Sequence, residues 1–283
     1  MAQQVPQHRA LMYSDFGVRL RRLNPSHVED MPVTYAHQDD YYIIGLMEKG
    51  TGCGIIDFKE VTFSPGDVFL VQPGQVHRFV RSEGVEGWML FADSSLVGAE
   101  EKHIFDKFRL FTSSFKIDGQ RMDELKQVAV ILANRLNCMA DELAKATVRR
   151  LTESFIGIVA EAVRESGLQH VKYSRRHIEI VLSFLRLLTG HLAAHRSPSY
   201  YASRLNISPV YLNEVVKEVT GMSATVYIRY ELVLQAKRLL VHTDLAVKEI
   251  STRLGIEDCA YFSRIFTQAA GVSPSAFRQR NLE

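Results

Sequence analysis

The sequence predicts an α+β protein: a β-rich N-terminal half followed by helices, then an all-α C-terminal domain with two helix-turn-helix units. Three observations predict it. Short apolar runs broken by glycines fill roughly residues 16–92, apolar residues recur at helical spacing from Arg121 onward, and one C-terminal stretch occurs twice. Ser208–Ser223 reads SPVYLNEVVKEVTGMS, and fifty positions on Asp258–Ser273 reads DCAYFSRIFTQAAGVS.

Composition sets the limits. A chain of 283 residues has room for two ordinary domains, and a hydrophobic fraction of 46% is enough to fill their cores. Charge is unevenly spread. From Lys172 onward 15 Lys and Arg face 9 Asp and Glu, a balance of +6, whereas the preceding part holds 19 against 23, a balance of −4. A basic C-terminal third behind an acidic body suits a phosphate-binding module attached to a sensor. The three cysteines (Cys53, Cys138, Cys259) form neither a CxxC pair nor an even framework. That fits a reducing compartment and argues against a structural zinc site. The N-terminus lacks a signal-like apolar core and no later run spans a membrane, so a cytoplasmic protein without membrane attachment is expected.

Taken in order, the strand-like runs are GVRLRRL, YYIIGLM, CGIIDF, VTF, DVFLV, VHRFV and GWMLF. Breaks at KGTG (Lys49–Gly52), SPG (Ser64–Gly66) and PGQ (Pro73–Gln75) are expected at strand ends, and strands this short and close imply a sandwich or barrel. The phrase GDVFLVQPGQVH, Gly66–His77, resembles the second conserved motif of the cupin jelly roll: a Gly, a strand, a Pro-Gly turn and a His. Upstream, His37 in AHQDD stands where the first cupin motif begins its His-x-His pair. Asp39 replaces the second His, and Gln72 replaces the Pro that usually opens the later motif.

The resemblance implies a cupin-like β-barrel, and in cupin enzymes the histidines hold a metal. This chain offers His37 and His77 with Asp39 as a third candidate, and no clear Glu follows, Glu48 lying near a strand end. Three readings stand side by side: ordinary lining residues, hydrogen-bonding groups for a small organic ligand, or metal ligands. We assign no metal, no cofactor and no catalytic residue, and name His37, His77 and Trp88 as effector-pocket candidates. Trp88 reads first as a core residue, with a stacking wall for a ligand as the alternative.

FDKFRLF and SSFKI lead out of the strands as irregular or short elements. Two amphipathic patterns follow. The first carries Leu125, Val128, Leu132 and Leu136; the second carries Leu143, Val148, Leu151, Phe155, Ile158, Val159 and Val163. These stripes pack either on the barrel or against the same helices of a second chain. ESGLQHVKYSR, Glu165–Arg175, is the best linker candidate. The domains expected are a ligand-sensing domain over 1–118, a helical dimerisation or linker region over 119–171 and a DNA-binding domain over 172–283.

In the last of these, Arg176–Arg196 reads as a helix with Ile180, Leu182, Leu185, Leu188 and Leu192 as candidate buried positions. Each copy of the doubled stretch then reads as a helix with an N-cap (Ser208, Asp258), an apolar stripe and a terminal glycine (Gly221, Gly271). A short apolar helix precedes each, YYASRLN ending at Asn206 and VKEISTRLG ending at Gly255. Two short helices joined by a tight turn form the helix-turn-helix pattern. VYIRYELVLQAKRLLVHT connects the two units. The tract RYELVLQAKRLL, the phrase VKEISTRLGIEDCAYFSRIFTQAAGVSPSAFR and the doubling together resemble the AraC/XylS family of transcription regulators over roughly residues 181–280.

Positions outside the apolar stripe at each second helix's N-terminal end are the base-reading candidates: Val210, Asn213 and Glu214, then Ala260, Ser263 and Arg264. Arg264 suits guanine, Asn213 adenine, and Val210 or Ala260 a thymine methyl. Glu214 departs from the basic or amide side chain usual in the family, and no base is assigned to it. Arg204, Lys217, Arg253, Thr267, Arg278 and Arg280 are the backbone-contact candidates. Tyr211, Leu212, Val215, Val216, Tyr261, Phe262, Ile265 and Phe266 are assigned to packing. The connecting helix should set the two heads about one DNA turn, roughly 34 Å, apart.

The family resemblance implies a sequence-specific regulator of transcription, more often an activator. Double-stranded DNA would be its partner, a sugar or small organic acid its effector, a second copy its dimer mate and RNA polymerase a further partner on activation. Two other classes stay open: a metal-dependent cupin enzyme with a DNA-binding tail, and a DNA-binding dimer that needs no ligand.

Overall fold

A computed structural model describes residues 7–8, 17–24, 37–138, 140–166 and 173–282. The chain divides into two compact units, one covering 6–171 and the other running from Lys172 to Glu283. Most of the linker candidate, residues 167–172, lies outside the described residues.

The first unit is built on one sheet. Its described strands are β1 (Gln7–His8), β2 (Val18–Leu23), β3 (His37–Asp39), β4 (Tyr41–Ile56), β5 (Lys59–Phe63), β6 (Asp67–Val71), β7 (Val76–Asp93) and β8 (Ser114–Lys116). They lie in the order β1-β3-β7-β4-β6-β8, with β2 also on β7 and β5 also on β4. Every pairing is antiparallel except β1 with β3.

Two long strands dominate, and both merge runs that the sequence separates. KGTG does not end a strand: β4 passes through it, and register shifts between Met47 and Lys49 and between Lys49 and Thr51 absorb the glycines as bulges. VHRFV and GWMLF likewise join into the single strand β7. These glycines do not end the strands, because each long strand is the other's ladder.

Alternation along these strands sorts side chains to two faces. Tyr41, Ile43, Met47, Phe69, Val71, Met89 and Ile56 form one buried cluster made by strands alone. Tyr42, Ile44, Leu46, Val68, Leu70, Leu90 and Ala92 form the other, which helices cover. FDKFRLF proves to be regular: it belongs to α1 (Ala99–Phe111), which buries Phe105 and Phe108 one turn apart and carries Glu100 and Glu101 at its positive end. SSFKI supplies β8, which pairs with β6.

The helices α2 (Gly119–Leu136) and α3 (Glu142–Glu165) start at Asp118 and Asp141, whose carboxylates accept from the third residue on. Leu125, Leu132, Phe155, Val159 and Val163 join the helix-covered cluster, each contributing about 1.5–3 kcal/mol of burial. The two helices thus lie in the same compact unit as the strands. Leu143 departs from the expected stripe and is 71% exposed, because it sits in the first turn ahead of the packed length.

The second unit is all helix in its described residues. It contains α4 (Arg175–His191), α5 (Pro198–Arg204), α6 (Pro209–Thr220), α7 (Ala224–His242), α8 (Val247–Arg253), α9 (Cys259–Ala270) and α10 (Pro274–Leu282). Its core takes Val181, Phe184 and Leu188 of α4, Tyr201 of α5, Leu212 and Val216 of α6, Leu232 and Leu240 of α7, and Phe262 and Phe266 of α9. Ile180, expected among the buried positions, is only half-buried. Among the described residues no helix is long and apolar enough to cross a membrane.

Candidate nucleic-acid interface and sensor site

The pairs α5–α6 and α8–α9 repeat their framework down to single hydrogen bonds. In the first turn Ile207 N–H donates to Ala202 O at 3.0 Å; in the second Ile256 N–H donates to Ser251 O at 2.9 Å. The sharp step between the helices takes positive φ in both, 53° at Asn206 and 74° at Gly255. Ser208 and Asp258 then cap α6 and α9, and both helices end on a left-handed glycine, Gly221 and Gly271. The second turn is one residue longer, Glu257 being the addition.

Two helices brace this repeat. α7 packs on α5, α6, α8, α9 and α10. At one end of α4 the His177 ring lies 6.0 Å from that of Tyr211, and Nδ1 of His177 is 2.9 Å from the Glu218 carboxylate. Just beyond the other end, Arg196 donates to Leu254 O at 2.9 Å and Gly255 O at 2.8 Å, capping the end of α8. A side chain at Gly255 could not fit, because its Cβ would lie 1.9 Å from Ala193 O.

The base-reading candidates differ in availability. Val210 is 67% exposed, and Glu214, Ala260 and Arg264 are exposed, with Ser263 half-buried. Asn213 is engaged within the unit: its Nδ2 donates to Pro209 O at 3.1 Å, and its Oδ1 accepts from Thr225 N–H at 3.4 Å. It therefore fastens α6 to the start of α7 as well as facing outward.

Among the backbone candidates, Arg204, Lys217, Arg253 and Thr267 are exposed, and Arg204 lies over the Tyr200 ring at 5.6 Å. Arg278 requires a correction. Its guanidinium donates to Leu240 O at 2.9 Å, Thr243 O at 3.3 Å and Leu245 O at 2.7 Å, so it caps the end of α7 rather than facing phosphate. The Arg280 side chain lies outside the described residues. Lys237 also turns inward, where burial lowers its pKa from the ordinary lysine value.

Tyr261 needs a correction too. Expected in the packing face, it is 48% exposed, with the Arg264 guanidinium 5.8 Å from its ring centre. Its counterpart Tyr211 is half-buried because α4 packs on α6. Among the described residues α9 packs on α7, α8 and α10, and Tyr261 stays open. Identical positions of the repeat thus meet different surroundings, and the sequence carries no local sign of this.

In the first unit, the register of β3 on β7 sets His37 directly opposite His77. Asp39, two residues beyond His37, shares its face. Ile56 faces His77 across β4 and belongs to the strand-only cluster, so this trio lies on the face turned away from the helices. All three are buried, with His37 4%, Asp39 2% and His77 3% exposed. Asp39 Oδ2 is 3.2 Å from His77 Nε2 and 3.6 Å from His37 Nε2. The two rings are 4.1 Å apart.

Trp88 does not join them. It stands beside Leu46 and Leu20 on the helix-covered face, with the Arg22 guanidinium 5.0 Å over its ring, and Arg22 pairs in turn with Glu48.

Comparison with known proteins agrees with both halves. An AraC-like ligand binding domain matches residues 29–154, and a helix-turn-helix domain matches residues 201–280. The arabinose operon regulatory protein of Salmonella typhimurium is 24% identical over 84% of this chain and 83% of its own length. The HTH-type transcriptional activator RhaR of Pectobacterium carotovorum subsp. carotovorum is 26% identical over 89% of this chain and 88% of its own. ToxT from Vibrio cholerae superposes with a TM-score of 0.45 at 11% identity, over 92% of this chain and 97% of that one. A ligand-binding unit followed by a doubled helix-turn-helix, matched in that order along one chain, means that the protein belongs to the AraC family of transcription regulators.

Proposed function

We propose that the protein is a sequence-specific activator of transcription in which α6 and α9 enter successive major grooves on one face of the DNA. The observation that supports this reading is the pairing of one framework with two different exposed faces. Turns, caps and left-handed ends repeat, whereas Val210, Asn213 and Glu214 stand where the second unit has Ala260, Ser263 and Arg264. Equal frames with unequal faces suit an asymmetric site read by one chain. Arg204, Lys217, Arg253 and Thr267 supply the phosphate contacts, and Tyr261 adds a ring to the second reading face.

The activating sign follows the names of the relatives, which are regulators and activators rather than enzymes, and we assign no catalytic role to this chain. RNA polymerase is then the partner at the promoter. A small effector taken up by the first unit shifts promoter occupancy, and two chains pair through the helices of residues 119–165.

Fluorescence anisotropy with the DNA upstream of the protein's own gene tests the reading. We expect binding that weakens steeply with salt, and a drop of about 1–3 kcal/mol in sequence discrimination for Arg264→Ala. Equal affinity of wild type and variant for specific and scrambled DNA would refute it.

A further inference from the structure

His37, Asp39 and His77 bring two imidazoles and one carboxylate together inside the strand-only face of the first unit, and their ligand atoms all lie within 4.8 Å of one another. The segments that carry these three residues are tied to their neighbours by hydrogen bonds. Gly74 N–H donates to Asp39 O at 2.8 Å, locking β3 to the turn ahead of His77. Asp57 accepts from Gln75 Nε2 at 2.9 Å and from Val76 N–H at 3.2 Å, while Gln75 Oε1 accepts from Gln72 N–H at 2.9 Å.

The protons are informative. His77 Nδ1 faces Gln75 O at 3.2 Å. A carbonyl oxygen only accepts, so Nδ1 carries the hydrogen and the lone pair of the neutral ring sits on Nε2. That nitrogen is buried and makes no hydrogen bond, although Asp39 Oδ2 is only 3.2 Å away. Two acceptors facing each other at that distance repel unless a proton or a cation lies between them. An outer carbonyl that sets the tautomer of a histidine is also the usual second layer of a metal site.

The spacing suits a cation better than a proton shared by one pair, because a second ring faces the same oxygen. Ligands about 2.1 Å from a metal at tetrahedral angles stand about 3.4 Å apart. The two nitrogen–oxygen separations, 3.2 and 3.6 Å, bracket that value. We propose that His37, Asp39 and His77 form a binding site for one divalent transition-metal ion of borderline softness, with zinc as the reference ion. Two imidazoles with one carboxylate is the donor set such ions favour over magnesium or calcium, and three protein ligands leave a coordination position open. The ion would tie β3 to β7. This departs from the expectation of no metal, and it goes beyond the regulatory reading.

The test is zinc titration of the full chain after EDTA treatment, followed by calorimetry and thermal unfolding, with cobalt as a spectroscopic substitute. We expect one ion per chain, a higher Tm with zinc, and a cobalt spectrum of nitrogen and oxygen ligands without thiolate charge transfer. Asp39→Asn and His77→Gln should each weaken the affinity at least about tenfold while circular dichroism stays unchanged. Should either variant fail to fold, the wild-type cobalt spectrum decides. No uptake at micromolar zinc would overturn the proposal. Uptake equal in wild type and both variants, or a thiolate spectrum, would place the ion elsewhere and overturn it equally. No readout involves DNA, so failure here is distinct from failure of the regulatory reading.

Discussion

Gly255 and Gly271 have nearly the same backbone, φ 74° and 75°, yet different reasons to be glycine. A side chain at Gly271 would meet nothing within 4 Å, whereas one at Gly255 would strike Ala193 O. Gly271→Ala should therefore cost only the left-handed penalty of about 1–2 kcal/mol, and Gly255→Ala several kcal/mol more. Urea midpoints of the two variants check this, and equal losses would remove the close approach as the cause. Much of this scale is legible in the sequence. N-caps, terminal glycines and the exposed Val210 follow from spacing alone. Arg278 and Tyr261 were not legible, because a guanidinium's choice between phosphate and carbonyl depends on which helix end lies beside it.

At the scale of elements, the second unit is a repeat clamped by α4 and α7, and two arginines serve the clamp. Arg196 closes the end of α8 and Arg278 the end of α7. With Lys237 turned inward as well, the balance of +6 from Lys172 onward overstates the charge available to phosphate. The prediction is a contrast. Arg278→Ala should lose about 2 kcal/mol of stability with little change in the salt dependence of DNA binding. Lys217→Ala should change stability by less than about 0.5 kcal/mol and lower the slope of log affinity against log salt by about one. Thermal melts and anisotropy at several salt concentrations check both, and a reversed pattern would return Arg278 to the interface. Strand ends were the least legible elements. KGTG reads as a terminus, but its ladder partners on β7 lie thirty or more residues away and hold it as a bulge.

For the molecule as a whole, each compact unit contains its own buried cluster, and the AraC-like and helix-turn-helix matches fall one in each. A fragment covering residues 172–283 should therefore fold and keep the sequence preference of the full chain. It should bind more weakly, by as much as about 10²–10⁴, if two linked copies normally act together. Circular dichroism and anisotropy on the fragment check this, and loss of preference in a folded fragment would mean that the first unit takes part in reading.

The sequence by itself determined the order of a β-rich sensor and a doubled helix-turn-helix, the caps that frame each helix, and the family to which they belong. These are local signals: periodicity, turn residues and a repeat only fifty positions apart. The sequence named Asp39 as a candidate beside His37 and His77, but only tertiary structure decided that the three meet in a buried trio while Trp88 lies on the opposite face. Tertiary structure also decided that Tyr211 is covered while Tyr261 is open. The physical reason is the same in both cases. Strand register and helix docking bring together residues far apart in the chain, and a one-residue change of register would have turned every one of those strand side chains to the other face.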